Sequence, residues 1–126
     1  PYTTLFRSPA VITGRDSVPL RLRLQALGIT HAVFGTEEKR PAAQHILDTL
    51  NLDWAQAAAM GDDWPDLPVM RRCALACAPC NAQIEVRATA HHVTNACGGD
   101  GAAREFCDLL LVASGRYAAL LAQYNA

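Results

Sequence analysis

Ala57-Ala58-Ala59-Met60-Gly61-Asp62-Asp63-Trp64-Pro65-Asp66-Leu67-Pro68-Val69-Met70 is the stretch whose reading decides the fold. Small and apolar residues over 57–60 give a buried strand, and Gly61 stops it. A turn follows with three carboxylates in five positions, and Leu67–Arg72 then reads as a short helix. A strand running into a polar turn and then a helix is half of a strand–helix–strand crossover.

The same grammar recurs on both sides. Upstream, Ala10-Val11-Ile12 is a strand run closed by Thr13-Gly14. Asp16 or Ser17 can cap a helix whose Leu20, Leu24 and Leu27 stand at i, i+4 and i+7, with Gly28 ending it. His31-Ala32-Val33-Phe34 is a second strand, stopped by Gly35, and a helix follows from about Pro41 with Ala43, Ile46, Leu47 and Leu50 on one face. Downstream, Cys73–Cys77 is a fourth strand, Asn81–Ala90 a weak helix and His91–Thr94 a fifth strand. Two closing helices carry Ala103/Phe106/Cys107/Leu110 and Tyr117/Leu120/Leu121/Tyr124, with Gly115 between them. Alternating strands and helices predict an α/β fold of three layers, a mostly parallel sheet covered on both faces. Ligands bind such sheets at the carboxyl ends of the strands. That rule directs attention to 13–15, 35–39 and 61–66.

Composition narrows the classes. The chain has 126 residues, 51% of them hydrophobic, and a net charge of −1. One domain fits that length, and wholesale disorder does not fit that apolar fraction. A near-neutral chain with a pI of 6.5 lacks the basic surface that nucleic acid or an anionic membrane calls for. No apolar run approaches the roughly 20 residues of a bilayer span. Five cysteines, an odd number scattered through an apolar-rich chain, suit buried thiols in a reducing compartment better than a disulfide framework. A cytoplasmic domain is the expectation.

Carboxylates clustered at a strand end suit a hard cation such as Mg²⁺, which takes oxygen ligands and keeps several waters. The same residues can also be a plain turn, with Gly61 as turn residue and Asp66 as helix N-cap. A polymerase-type Gly-Asp-Asp belongs to a hairpin in a far larger protein. Thr13-Gly14 offers a hydroxyl and an accessible backbone N–H to a phosphate oxygen, although most such pairs are only turns. Lys39 offers an ammonium, although most lysines are solvated. In the order Thr/Gly, Lys, Asp-Asp at successive strand ends, they compose a phosphate-plus-Mg²⁺ site.

Ile12-Thr13-Gly14-Arg15, Gly28-Ile29-Thr30-His31, Gly35-x-x-x-Lys39 and Gly61-Asp62-Asp63-x-x-Asp66-x-Pro68-Val69-Met70 resemble motifs II to IV of the haloacid dehalogenase (HAD) phosphohydrolases. The tail Gly98-Gly99-Asp100-Gly101-Ala102-Ala103-Arg104-Glu105-Phe106-Cys107-Asp108-Leu109-Leu110 is similar to the closing segment of the cap-less branch acting on 3-deoxy-D-manno-octulosonate 8-phosphate (KDO 8-phosphate). The resemblance runs from Pro9 to about Tyr117. It implies a HAD-like Rossmannoid fold, Mg²⁺-dependent phosphomonoester hydrolysis in lipopolysaccharide precursor synthesis, and a homotetramer. By resemblance, Thr13 hydrogen-bonds the transferring phosphoryl and Lys39 neutralises charge on it and on the nucleophile. Asp62 holds Mg²⁺ directly or through water, with Asp63 and Asp66 ordering the loop. Gly14, Arg15 and Arg23 match substrate-binding positions, the arginines reading the sugar acid's anionic groups, although Arg23 on a patterned helix is equally a plain exposed residue.

Two departures qualify the resemblance. The family's nucleophile is the first Asp of an Asp-x-Asp on its first, central strand, and the second Asp is the acid/base. No Asp-x-Asp stands in this chain. Pro1-Tyr2-Thr3-Thr4-Leu5-Phe6-Arg7-Ser8 equals the in-frame translation of the end of a common sequencing adapter. We therefore expect 1–8 to be non-native, 9–126 to be a partial HAD-like domain lacking its first strand, and the chain as it stands to be inactive and poorly stable. Many relatives also have Arg where Asp100 stands, which opens the choice of sugar acid.

Rival readings remain. A sibling could act on another sugar-acid phosphate, or be the HAD half of a sialic-acid cytidylyltransferase fusion. The chain could be a non-catalytic binding or oligomerisation domain. Cys77-Ala78-Pro79-Cys80 has the spacing of a thioredoxin-like pair. With Cys73, Cys97, His91 and His92 it can be drawn as a zinc site, but buried thiols are the simpler reading.

Overall fold

The computed structural model describes residues 8–125, so the segment expected to be non-native lies outside them apart from Ser8. β1 (Ala10–Ile12) pairs in parallel with β2 (His31–Val33), Ala10 opposite His31 and Ile12 opposite Val33. β3 (Ala58–Met60), β4 (Leu75–Ala78) and β5 (His92–Val93) form a second parallel sheet in that order, with Met60 beside Cys77 and Cys77 beside His92. The α/β class and the parallel pairing are as the alternation predicts. Among the described residues no strand pairing joins the two sheets.

The helices are α1 (Val18–Ala26), α2 (Lys39–Thr49), α3 (Leu67–Met70), α4 (Ile84–Thr89), α5 (Ala102–Ala113) and α6 (Tyr117–Asn125). Ser17 is the N-cap of α1, its hydroxyl accepting from Leu20 N at 3.3 Å. The α1 helix ends at Gly28, which adopts φ +74°, a left-handed conformation that suits glycine. Helix α2 begins two residues before the expected Pro41, because proline in a first turn forfeits an N–H that has no intrahelical partner anyway. Cys73 lies outside β4: its thiol donates toward Met70 O and Leu75 O, closing the turn between α3 and the strand.

The core gathers under β4. Met70, Cys73, Ala76, Ala78, Ala82 and Val86 are buried together, with Trp54, Ala57, Ala59 and Leu67 packed against them. Alanines on β3 and β4 let α3 and α4 approach the sheet closely. The β1–β2 half contributes less: Leu24 of α1 and Ala43 and Leu47 of α2 are its buried apolar residues. Contacts of α2 with β1 and with α3 join the halves. No helix of the described residues is long and apolar enough to cross a membrane.

Candidate functional site

The acidic turn is built around one carboxylate. Asp66 Oδ2 accepts from Asp62 N at 2.9 Å and from Asp63 N at 3.2 Å, while its Oδ1 accepts from Lys39 Nζ at 2.7 Å. Both side chains of that ion pair are mostly buried, Lys39 at 17% and Asp66 at 13% exposure. The expected N-cap role of Asp66 is corrected: it makes no cap bond to α3. Asp63 caps the 3-10 turn Trp64–Asp66 instead, accepting from Trp64 N at 2.8 Å, while Asp66 reaches back to the Asp63 N–H. The reciprocal bonds satisfy donors that a helix start leaves open. Gly61 is needed for proximity, since a Cβ there would collide with Asp66 Cβ.

Asp62 stands apart from this network. Its carboxylate is exposed, and no side-chain bond is made to it among the described residues, whereas its backbone oxygen accepts from Gln83 N at 3.0 Å. The turn is thus fixed from both sides while one carboxylate stays open to solvent. The donor chemistry fits one protein ligand of a hard, largely hydrated cation. Among the described residues no group of three His, Cys, Asp or Glu side chains forms a closed metal cage.

Thr13 follows β1, its N–H bonded to Val33 O at 2.9 Å and its carbonyl accepting from Thr36 N at 3.2 Å. Arg15 N donates to Thr13 Oγ1 at 3.1 Å, which leaves the hydroxyl hydrogen for another acceptor. Thr36 Oγ1 accepts from Glu38 N at 3.1 Å, so the loop leading to Lys39 is held beside the end of β1. Gly14 lies against Glu37, whose carboxylate a Cβ would meet. Glu37 carries no motif signal and was missed from sequence. A hollow of about 560 Å³ lined by Glu37, Lys39, Gln44 and Pro68 opens beside the ion pair.

Of the arginines, Arg15 is exposed in the same loop. Arg23 is in the last turn of α1, five residues and about 7.5 Å of helix axis beyond Val18. Its guanidinium makes no hydrogen bond or ion pair to the Thr13 loop among the described residues. Arg21 was also missed: its guanidinium forks onto Asp16 at 2.7 and 2.9 Å and lies 4.1 Å over the Phe34 ring. The fork holds the Asp16 carboxyl below its usual range, and the contact ties α1 to the segments after β1 and β2.

Cys73 and Cys77 are buried thiols, as the simpler reading has it, and the rival pairings are not formed. Cys77 is fully buried and its thiol is pushed up to about 11 by burial and by the Glu105 charge. That is the reverse of the depressed pKa a thioredoxin-like nucleophile needs. No zinc group assembles among the described residues. His91 Nδ1 accepts from Ala76 N at 2.8 Å, and His92 Nε2 is 3.4 Å from Glu105.

Comparison with known proteins bears on this geometry. The model of the haloacid dehalogenase-like hydrolases matches residues 28–106. The 3-deoxy-D-manno-octulosonate 8-phosphate phosphatase KdsC of Yersinia pestis is 43% identical over 104 residues, 82% of this chain and 56% of that protein. A probable YrbI family phosphatase from Pseudomonas syringae pv. phaseolica superposes with a TM-score of 0.92 at 44% identity, covering 94% of this chain and 68% of that one. The KDO 8-phosphate phosphatase of Moraxella catarrhalis, solved with magnesium, phosphate and KDO, gives a TM-score of 0.89 at 34% identity over 91% of this chain and 66% of its own. The chain spans little more than half the length of the curated relative. Its motifs, its parallel α/β architecture and these matches together place the chain in the haloacid dehalogenase-like hydrolase family.

Proposed function

We propose that this chain is the larger part of a KDO 8-phosphate phosphatase, hydrolysing the sugar-acid phosphomonoester to KDO and inorganic phosphate. The observation that carries the reading is the junction of Lys39 with the Gly61–Asp66 turn through Asp66, beside the Thr13 loop. Phosphoryl transfer is mainly positioning and electrostatic stabilisation, and this junction gathers the parts for both.

Lys39 spends one N–H on Asp66 and has two left for phosphoryl oxygens. The Thr13 hydroxyl, already accepting from Arg15 N, donates its hydrogen to another phosphoryl oxygen. Gly14 lets the substrate approach the backbone once the Glu37 side chain swings aside, and Arg15 pairs with an anionic group of the sugar acid. Arg23 serves at a site completed by a second copy of the chain, in keeping with a homotetramer. Asp62 is the residue that would hold Mg²⁺, which when bound supplies positive charge against the phosphoryl oxygens. Asp63 and Asp66 keep the turn in shape and have no spare role as nucleophile. The attacking carboxylate and the acid/base are an Asp-x-Asp that this sequence does not contain, so the chain by itself is inactive in this reading. Exposed Val112, Tyr117, Leu121 and Tyr124 on α5 and α6 supply apolar area for the tetramer, and a cytoplasmic setting follows from the substrate class.

A second sugar acid is favoured by one residue. Asp100, exposed in the Gly98–Gly101 turn, puts negative charge where the resemblance implies Arg, which opens the choice to a sugar acid of equal charge but different polar groups, such as a sialic-acid or KDN-type phosphate.

The test is Mg²⁺-dependent phosphate release by the chain preceded by a strand bearing Asp-x-Asp, from KDO 8-phosphate and from N-acetylneuraminate 9-phosphate. Release from KDO 8-phosphate that Asp62→Asn abolishes is expected. Full activity of Asp62→Asn overturns the metal assignment, preference for the second substrate overturns the first, and no release from either overturns the enzyme reading.

A further inference from the structure

Cys80 and Cys97 lie on different loops at the carboxyl edge of the second sheet, and their sulfurs are 3.0 Å apart. Cys80 comes two residues after β4 and Cys97 four after β5, strands paired in parallel at Ala78 and Val93. One further bond joins the two loops, and two other restraints hold the loop after β5 in shape. Asn81 Oδ1 accepts from Gly98 N at 2.7 Å. The Glu105 carboxylate takes the N–H groups of Asn95 and Ala96 at 3.0 to 3.1 Å. Thr94 Oγ1 donates to Ala96 O at 2.6 Å. A Cβ on Gly98 would stand 3.2 Å from Asn81 Oδ1 and 3.6 Å from Pro79 Cβ, so the Gly98 backbone packs directly on side chains of the loop after β4.

We propose that Cys80 and Cys97 are a redox pair that closes to a reversible intrachain disulfide, clasping the loop after β4 to the segment leading into α5. Bond formation requires the sulfurs to approach by about 1 Å, to the roughly 2.05 Å of a disulfide. The other cysteines are set apart. Cys73 and Cys77 are buried, and Cys107 is half-buried on α5. The pair replaces the Cys77–Cys80 pairing suggested by sequence spacing, because Cys77 is fully buried within β4 and Cys80 faces Cys97.

The oxidant is a small disulfide such as glutathione disulfide. Cys97, the exposed member, attacks as thiolate. One glutathione thiolate leaves and a mixed disulfide forms on Cys97. The Cys80 thiolate then attacks the Cys97 sulfur, closing the new bond and expelling the second glutathione. The two thiol protons end on the two departing glutathione molecules, so two thiols and one disulfide become one disulfide and two thiols. A dithiol reductant reverses both steps, as a sensor pair in a reducing compartment requires.

The closed clasp anchors Gly98–Gly101, whose Gly99 and Gly101 take φ of +80° and +96°. The loop it is tied to also holds the acidic turn, through Gln83 N and Asp62 O. Oxidation therefore stiffens the Asp100 turn against the same edge that carries Asp62.

The experiment treats the full chain with glutathione disulfide, blocks free thiols, and digests with trypsin without reduction. Peptide 73–87 joined to peptide 88–104, two hydrogens lighter than their sum and fragmenting through Cys80 and Cys97, is expected. Cys80→Ser should lose the link and leave glutathione on Cys97. Hydrogen exchange of amides 95–101 should slow in the oxidised wild type and not in Cys97→Ser. Glutathione on Cys97 of the wild type without the link, or a link from Cys77 to Cys80, overturns the pair. A link that leaves those amides unchanged overturns the clasp.

Discussion

Removing the Asp66 carboxylate tests whether one side chain ties the two halves of the fold together. In Asp66→Ala, the Lys39 ammonium, 17% exposed, loses its partner, and Asp62 N and Asp63 N lose their acceptor. Breaking a buried pair by deleting one member costs roughly 3–5 kcal/mol. Residual exposure at both groups favours the lower end, so we take about 3 kcal/mol. Asp66→Asn is the milder form. Its amide oxygen can still serve the backbone donors, but its NH₂ then faces the ammonium, and about 2 kcal/mol is expected from an unpaired charge. In urea, with a slope of about 1.5 kcal/mol/M for a domain of this size, Asp66→Ala lowers the unfolding midpoint by about 2 M and Asp66→Asn by rather more than 1 M. A cycle with Lys39→Met isolates the pair, and a coupling of about 2 kcal/mol is expected. A midpoint for Asp66→Ala within about 0.3 M of the wild type, or purely additive double-mutant effects, would refute the argument.

Four further outcomes follow from the same geometry. Asp62→Asn should leave the urea midpoint within about 0.3 M of the wild type, since no side-chain bond is lost; a larger drop would show the carboxylate to be structural. Gly61→Ala should destabilise by about 2 kcal/mol or more, because the added methyl meets Asp66 Cβ rather than a flexible tip; calorimetry showing an unchanged Tm would contradict it. Glu105 is held below the ordinary glutamate range, first by the Ala96 and Asn95 N–H bonds. Its folded pKa is depressed, so its contribution is present above about pH 4.3 and lost as pH falls through the folded value. The stability difference between wild type and Glu105→Gln should accordingly shrink only on acidification below that point, and a difference growing there would invert the sign. Cys77, raised to about 11 by burial, should resist an aromatic disulfide reagent at neutral pH until the chain unfolds, and prompt labelling would show the core to be open.

Much was legible in the sequence because it is written locally. A strand buried on both faces reads as a short apolar run, and glycine or a capping hydroxyl ends or starts an element through its own backbone. The run Ala57–Met60 into Gly61-Asp62-Asp63, the caps at Ser17 and Gly28, and the parallel α/β class all come from such signals. So did the candidate residues at the three strand ends, because a parallel sheet places successive carboxyl ends along one edge. Partnership across the chain could not be read this way. That Asp66 belongs to Lys39, twenty-seven positions away, rather than to the start of α3, depends on how α2 packs against β1 and α3. That Cys80 meets Cys97 rather than Cys77 depends on the register of β4 and β5, since β4 is buried on both faces and keeps Cys77 within the strand while the loop carries Cys80 around. Arg21 over Phe34, and Glu37 against Gly14, have no spacing signature at all. Sequence determined which polar and charged residues follow which strands, because those signals act within a few residues. Tertiary structure alone decided which carboxylate is bound and which is open, because a charge is held or left to solvent according to what the fold brings within three ångströms of it.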